Sequence, residues 1–177
     1  MRIGVDISQL AFPGTGVATY VENLVKNMIV HDVGNEYILF YSSLRRKLPS
    51  LALQFKESSN IRVKQFRLPP ALLDFIWNRL HILPIEWLIG SVDVFISSDW
   101  TQPPSKAKKV TILYDMIVYT YPEETAQKII AVQKRKLEWV KREVDKILCI
   151  SQATKKDAMS ILHIPEEKLT VIYPGLT

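Results

Sequence analysis

A glycine-containing loop near the start of the chain has the residue types that bind a phosphate group. Gly14 and Gly16 flank Thr15, directly before a run of apolar residues at helical spacing. Glycine lets backbone amides approach a phosphate closely, and the start of a helix adds a favourable dipole. The third glycine of a dinucleotide-binding fingerprint is missing, because Thr19 stands in its place. A tight turn needs glycine equally, so the loop fits both a phosphate site and a plain turn.

Carboxyl and hydroxyl side chains that follow strand-like runs are the second group of candidates. Asp6, the pair Tyr114 and Asp115, and Ser151 each come at or just after the end of such a run. A carboxylate at Asp115 can orient a hydroxyl group or stabilise developing positive charge, and its alternative role is that of a turn residue. Asp6 is suited equally to two roles, contact with a substrate and a hydrogen bond within its own loop. Ser151 has the position and type of a helix cap.

The elements that must position these residues alternate between strands and helices. Predicted strands cover residues 2–7, 37–41, 61–66, 92–96, 110–113, 147–150 and 169–172. Predicted helices begin near Val17, at Pro70 in two pieces separated at Pro84, at Pro122, and after Ser151. Several strands are apolar throughout, which is typical of a parallel sheet covered on both faces. The prediction is an α/β fold, a Rossmann-like open parallel sheet wound by helices on both faces.

Composition limits the class of protein and its compartment. The 177 residues are 47% hydrophobic and 23% charged, which is typical of a globular chain and excludes disorder. No run approaches the roughly 20 apolar residues of a transmembrane helix. The single Cys149 excludes an internal disulfide or a cysteine-based metal site. We expect a single domain over residues 1–177, located in the cytoplasm, with no metal ion or other cofactor.

Positive charge is concentrated in one segment. Residues 128–156 carry nine Lys or Arg and three acids, although the whole chain has a net charge of only +5. This segment fits an anionic partner such as phosphate, nucleic acid or acidic lipid, or else a solvated helix face. Nucleic acid is the least favoured partner, because the segment lacks the interleaved aromatic residues of RNA-recognition motifs. Trp77 and Trp87 lie in an apolar stretch, 72–88, that either packs in the core or contacts lipid or an acceptor.

Segments along nearly the whole chain resemble the N-terminal half of glycosyltransferase family 4. The similarity includes the opening strand, the glycine loop, and the strand ends that carry Tyr114 and Ser151. The segments are RIGVD (2–6), TGVATY (15–20), DVFISS (93–98), VTILYDM (110–116), YPE (121–123), ISQATKKD (150–157), IPEEK (164–168) and VIYPG (171–175). They follow one another in the family's order, and the last three match most closely.

The resemblance implies an activity and a domain organisation. It implies the acceptor-side half of a retaining GT-B glycosyltransferase of hexosyltransferase type, acting in glycan, polysaccharide or glycolipid synthesis. Such an enzyme transfers a sugar from a nucleotide-sugar donor to a sugar, lipid or protein acceptor, without a metal ion. The nucleotide-sugar-binding C-terminal domain is expected to lie outside this chain, and the isolated half to be inactive. Peripheral contact with a membrane surface is left open.

The resemblance also assigns roles to residues. Gly14, Thr15 and Gly16 are implied to form the loop that contacts the donor diphosphate, Ser151 to contact the bound ligand, and Asp115 and Tyr114 to serve catalysis. Tyr114 stands where many members have His, and a phenol cannot exchange a proton near neutral pH as an imidazole does. That departure favours an alternative, in which the chain is a catalytically inactive half-domain that acts as an interaction or regulatory module. A nucleic-acid-binding domain is the third hypothesis.

Overall fold

A parallel sheet of seven strands forms the centre of the fold in the computed structural model, which describes residues 1–32, 34–48, 60–97 and 99–175. Its strands are β1 (Arg2–Asp6), β2 (Glu36–Ser42), β3 (Ile61–Phe66), β4 (Val94–Ser97), β5 (Lys108–Leu113), β6 (Lys146–Cys149) and β7 (Leu169–Val171). The order across the sheet is β3-β2-β1-β4-β5-β6-β7, so the direction of winding reverses between β1 and β4. This confirms the predicted Rossmann-like sheet, in which ligands bind at the carboxyl ends beside the reversal.

Helices cover both faces of the sheet. They are α1 (Gly16–His31), α2 (Pro70–Leu73), α3 (Glu86–Ile89), α4 (Ile117–Thr120), α5 (Gln127–Glu143) and α6 (Gln152–Leu162), and a π-helical turn (Asp74–Arg79) continues α2. Side chains of β2 alternate between the two layers. Leu39 packs in the cluster that contains α1, whereas Phe40 packs against Trp77 on the opposite face. The helices α2, α3, α5 and α6 share that opposite face, and Cys149 is fully buried there.

One long helix begins later than the sequence predicts. The pattern places its start at Pro122, but residues Pro122–Glu124 form a 3-10 turn and α5 begins at Gln127. The amide of Thr125 donates to the Pro122 carbonyl and closes the turn, and the backbone of Ala126 is extended. Proline fixes a φ angle that suits a tight turn as well as a first helical turn. The prediction of a helix start at Pro122 is therefore wrong by one short turn.

Gly4 allows the close packing at the centre of β1. A Cβ atom at this position would lie 2.9 Å from Cδ2 of Phe95 and 3.0 Å from Cδ1 of Ile89. Both neighbours are buried side chains of the core between the sheet and α3. A larger residue at Gly4 would therefore push the side chains of Phe95 and Ile89 out of their packed positions.

Candidate functional site

A cleft of about 950 Å³ opens at the carboxyl ends of the strands. The glycine loop after β1 forms one wall, and Tyr114 and Asp115 after β5 form another. The remaining lining residues include Tyr20, Asn23 and Asn27 of α1, and Ile150, Ile172, Tyr173 and Gly175 after β6 and β7. The fold thus brings together two groups of candidate residues that are far apart in sequence, at the sheet edge where Rossmann-like proteins bind ligands.

The backbone of the glycine loop depends on glycine at one position. Gly14 has a φ of +84°, a conformation that other residues rarely adopt. A Cβ atom at Gly14 or at Gly16 would have no heavy atom within 4 Å, so both positions border open space. The turn requirement therefore explains Gly14, whereas Gly16 leaves room for a ligand close to the backbone.

Thr15 fixes the start of α1. Its Oγ1 accepts a hydrogen bond from the amide of Ala18 at 3.2 Å, and its carbonyl accepts from the amide of Thr19 at 3.0 Å. The hydrogen bonds of the described residues do not include the amides of Gly16 and Val17. These two amides belong to the first helical turn, where the helix dipole favours an anion. Thr15 is thus a capping residue that shapes the loop.

Tyr114 is largely buried in the wall of the cleft. Only 8% of its surface is exposed, and its ring meets that of Tyr20 edge-on, with 5.6 Å between the ring centroids. The backbone carbonyl of Tyr114 accepts a hydrogen bond from Oγ1 of Thr154. The hydroxyl of Tyr20 donates to the carbonyl of Ile172 at 3.1 Å, which ties α1 to the chain after β7. Tyr114 is placed to shape the cleft by packing.

Asp115 is exposed beside Tyr114. Its Oδ1 accepts a hydrogen bond from the amide of Ile117 at 3.1 Å, which fixes the side chain at the start of α4. Hydrogen bonds of the described residues do not involve Oδ2. This carboxylate therefore combines the predicted turn role with a second oxygen that can accept a hydrogen bond from a ligand hydroxyl.

Ser151 caps a helix. Its Oγ accepts from the amide of Thr154 at 3.0 Å, at the start of α6, and the neighbouring Ile150 lines the cleft in its place. The capping role predicted from the sequence is confirmed.

We expect Ser151→Ala to lower the free energy of unfolding by about 1 kcal/mol, the usual effect of losing a serine cap. Phosphate binding at the glycine loop is expected to stay unchanged, because the hydroxyl is used within α6. Urea unfolding and phosphate titration of the same variant measure the two effects. Ser160→Ala, at an exposed position of the same helix, is the control. Weaker phosphate binding without a loss of stability would show that Ser151 contacts the ligand and does not stabilise the helix.

Beneath the cleft, Lys136 of α5 lies near two carboxyl groups at the ends of β1 and β4, the buried Asp6 and the half-buried Asp99. Lys136 is 2% exposed and interacts electrostatically with Asp6 and Asp99. Oδ1 of Asp6 accepts from the amide of Ser8 at 2.9 Å, and Nε2 of Gln133 donates to Oδ1 of Asp99 at 3.1 Å. Burial raises the pKa of both carboxyl groups, and burial lowers the pKa of Lys136 to about 8 although the two carboxylates oppose it. The three charged groups thus lie at the ends of the two strands at which the sheet reverses.

Lys136 is not among the residues predicted from the sequence, because it lies in a run of basic residues that fits a solvated helix face. The helical spacing nevertheless places Lys136 on the buried side of α5. Lys136 directly precedes Leu137 and lies four residues before Val140, both buried in the core. A cation on the apolar stripe of a helix indicates a buried charge with partners.

Metal sites and membrane-spanning helices are both absent from the described residues. Within these residues, no three His, Cys, Asp or Glu side chains lie close enough together to hold a metal ion. No helix in the described part of the chain is long and apolar enough to cross a membrane. The absence of a metal cofactor stays a prediction.

The fold and the cleft define the class of protein, an α/β protein with a parallel sheet and an open cleft at its strand ends. Residues 14–177 match the model of the family described as Glycosyltransferase Family 4, and the chain belongs to that family. No curated protein sequence matches the chain significantly. One similar solved structure is the bulky-bulky ketone specific alcohol dehydrogenase from Comamonas testosteroni, at 12% identity and a TM-score of 0.41. That match covers 98% of this chain and 86% of the other, and at this TM-score it carries no argument.

Proposed function

We propose that the chain is the acceptor-side domain of a retaining glycosyltransferase of hexosyltransferase type. It takes a nucleotide sugar as donor, needs no metal ion, and acts in the cytoplasm in glycan, polysaccharide or glycolipid synthesis. One observation carries the proposal: in a member of glycosyltransferase family 4, one cleft holds both the glycine loop and Asp115. The donor nucleotide would be held mainly by a second, nucleotide-sugar-binding domain.

The two walls of the cleft suit the two charges that develop during sugar transfer. As the bond to the donor breaks, negative charge grows on the leaving diphosphate and positive charge grows on the sugar ring. The amides of Gly16 and Val17, with the dipole of α1 behind them, would stabilise the diphosphate. Asp115 would orient the acceptor hydroxyl through Oδ2, and its negative charge would favour the cationic ring. The ring of Tyr114, packed on Tyr20, would shape the wall between them.

Donor binding by the isolated chain is expected to be weak and confined to the glycine loop. Few phosphate-binding amides are available, so we expect a dissociation constant on the order of millimolar. Titration with pyrophosphate and with nucleotide sugars, followed by amide NMR, should shift residues 14–20 most. Gly16→Val would fill the open space before the amides and remove the shifts. Gly34→Ala, far from the cleft and in ordinary contact with its surroundings, should keep them. The largest shifts elsewhere, or micromolar affinity, would contradict the assignment.

The proposal as a whole is tested by comparing the 177-residue chain with the same chain joined to a nucleotide-sugar-binding domain of the family. The chain alone is expected to melt cooperatively, because the sheet has its own core, and to show no sugar transfer. Transfer should appear only in the joined protein. Robust transfer by the chain alone would overturn this division of the site between two domains.

Catalytic inactivity is the alternative that one observation favours. Tyr114 replaces the histidine of many family members and is buried against Tyr20. In that case the joined protein would bind donor without transferring sugar, and the chain would act as an interaction or regulatory module. The third hypothesis, nucleic-acid binding through residues 128–156, has less support, because Lys136 is buried and Arg135 pairs with Asp74 at 2.6 Å.

A further inference from the structure

Exposed apolar side chains are concentrated on one segment of the chain. The described residues include fifteen large hydrophobic side chains that are exposed, and five of them fall within residues 72–87. The five are Leu72, Phe75, Leu80, Ile82 and Trp87, here called the outer apolar surface. Trp87 is 77% exposed, the most of any in the set. A large apolar patch on a protein surface usually marks an interaction site.

These five side chains lie on the outer side of one layer. The inward residues of the same segment, Leu73, Trp77, Ile85 and Ile89, pack in one cluster against the sheet. Leu72 and Phe75 are separated by one helical turn and therefore share a face. In the π-helical turn, the amide of Leu80 donates to the carbonyl of Phe75 at 3.0 Å, which places Leu80 about one turn further along the same helix. The outer apolar surface thus forms a strip of exposed side chains along residues 72–87 that faces away from the sheet.

The acids of this segment are turned away from the strip. Asp74 is 8% exposed, with one carboxylate oxygen 2.6 Å from Arg135 and 3.8 Å from Arg79. Glu86 is half-buried, and its Oε1 accepts hydrogen bonds from Oγ of Ser105 and from the amide of Lys106. Neither carboxylate therefore places a free negative charge on the outer apolar surface.

Exposed cations border the strip. Arg79 lies between Phe75 and Leu80 in the chain, and its side chain is 56% exposed. Lys106 is exposed. Its amide donates a hydrogen bond to Oε1 of Glu86, which places Lys106 beside the helix that carries Trp87. The side chain of Arg142 is 63% exposed and lies over the ring of Trp139. That ring stacks on the ring of His81, with 3.6 Å between the two ring centroids. The exposed Glu138, 3.8 Å from Arg142, offsets part of that last charge.

We propose that the outer apolar surface docks on a bilayer that contains anionic phospholipid. Tryptophan favours the headgroup region, where its ring is half in hydrocarbon, and an apolar strip with a basic border is typical of interfacial binding. Arg79 and Lys106 would contact lipid phosphates. The cleft lies on the α1 side of the sheet, opposite the strip, so it would stay open to water on a docked protein. The inference does not depend on sugar transfer, and vesicle binding tests it without any donor.

Co-sedimentation of the 177-residue chain with vesicles measures this docking. We expect binding to phosphatidylcholine vesicles that contain phosphatidylglycerol, and much weaker binding to phosphatidylcholine alone. Phe75→Ser and Trp87→Ser should each weaken binding by about tenfold, since each removes a large inserted side chain. Arg79→Gln and Lys106→Gln should each weaken binding by about fivefold, only on the anionic vesicles. Val30→Ser, 70% exposed on α1 at the opposite face, is the matched control and should bind as the wild type.

Insertion itself has a direct readout in tryptophan fluorescence. Brominated lipids in the anionic vesicles should quench the wild type, and Trp87→Phe should lose most of that quenching while still binding. Absence of binding to anionic vesicles would overturn the proposal, as would binding that Val30→Ser weakens as much as Trp87→Ser does. Concentration-dependent dimerisation that Trp87→Ser abolishes, without vesicle binding, would instead assign the strip to a second copy of the chain.

Discussion

Replacement of Lys136 by methionine is expected to lower the free energy of unfolding by about 1–3 kcal/mol at pH 7. Methionine has nearly the shape of lysine, so the change removes the charge and keeps most of the packing. The buried Asp6 and the half-buried Asp99 would then lack the nearby cation, and a carboxylate held out of water without compensation is destabilising. Urea denaturation gives the difference directly. Lys141→Met, at an exposed position of the same helix, should change stability by less than about 0.5 kcal/mol.

The loss caused by Lys136→Met should become smaller as the pH falls. Burial raises the pKa of Asp6 and Asp99, so the folded chain keeps protons that the unfolded chain has released. Stability therefore decreases as the pH rises from the ordinary carboxyl range through the raised folded values. Without Lys136 these folded pKa values rise further, and the decrease extends to higher pH. A loss that is the same at pH 5 and pH 7, or below about 1 kcal/mol, would show that the charges do not act as a cluster.

Asp115→Ala is expected to lower kcat/KM by about 10²-fold or more in the protein joined to its donor-binding domain, because it removes the carboxylate proposed to face the acceptor. The melting temperature should change little, since Asp115 is exposed and its described hydrogen bond is the single one from the Ile117 amide. Rates with saturating donor and varied acceptor, beside thermal melts, measure both effects.

Asp115→Asn separates the two roles of this side chain. Asparagine keeps an oxygen for the Ile117 amide and removes the negative charge. If Asp115→Asn loses activity at unchanged stability, the charge is required. If Asp115→Asn is fully active and Asp115→Ala loses stability in proportion to activity, Asp115 is only a turn residue. Glu124→Ala, an exposed acid nearby in the chain, controls for a general change of surface charge.

The sheet was predictable because its strands are short apolar runs that end in polar residues. Runs such as residues 37–41 need burial on both faces, and a parallel sheet supplies it. The start of α5 was not predictable in the same way, because Pro122 suits either a 3-10 turn or a helix. Local sequence decides the conformation of a turn only when one of the alternatives is sterically excluded.

The candidate site was predictable in position and less so in detail. Residues after parallel strands converge at one edge, which is why Gly16 and Asp115 line one cleft. Tyr114, in the loop after β5, packs against Tyr20 of α1, and the sequence contains no local sign of that ring contact. The same holds for Lys136, whose partners Asp6 and Asp99 lie on two other segments. Contacts between distant segments decide which polar residues are exposed.

The capped start of α1 has a consequence for the speed of ligand capture. Thr15 already holds the first helical turn in place, so the entropy of ordering that loop, about 1–2 kcal/mol for each residue fixed, is lost during folding. An anion that reaches Gly16 would meet amides in their final orientation. Its association would be governed by diffusion and electrostatic attraction, with an observed rate that rises linearly with ligand concentration and does not level off at a slow rearrangement.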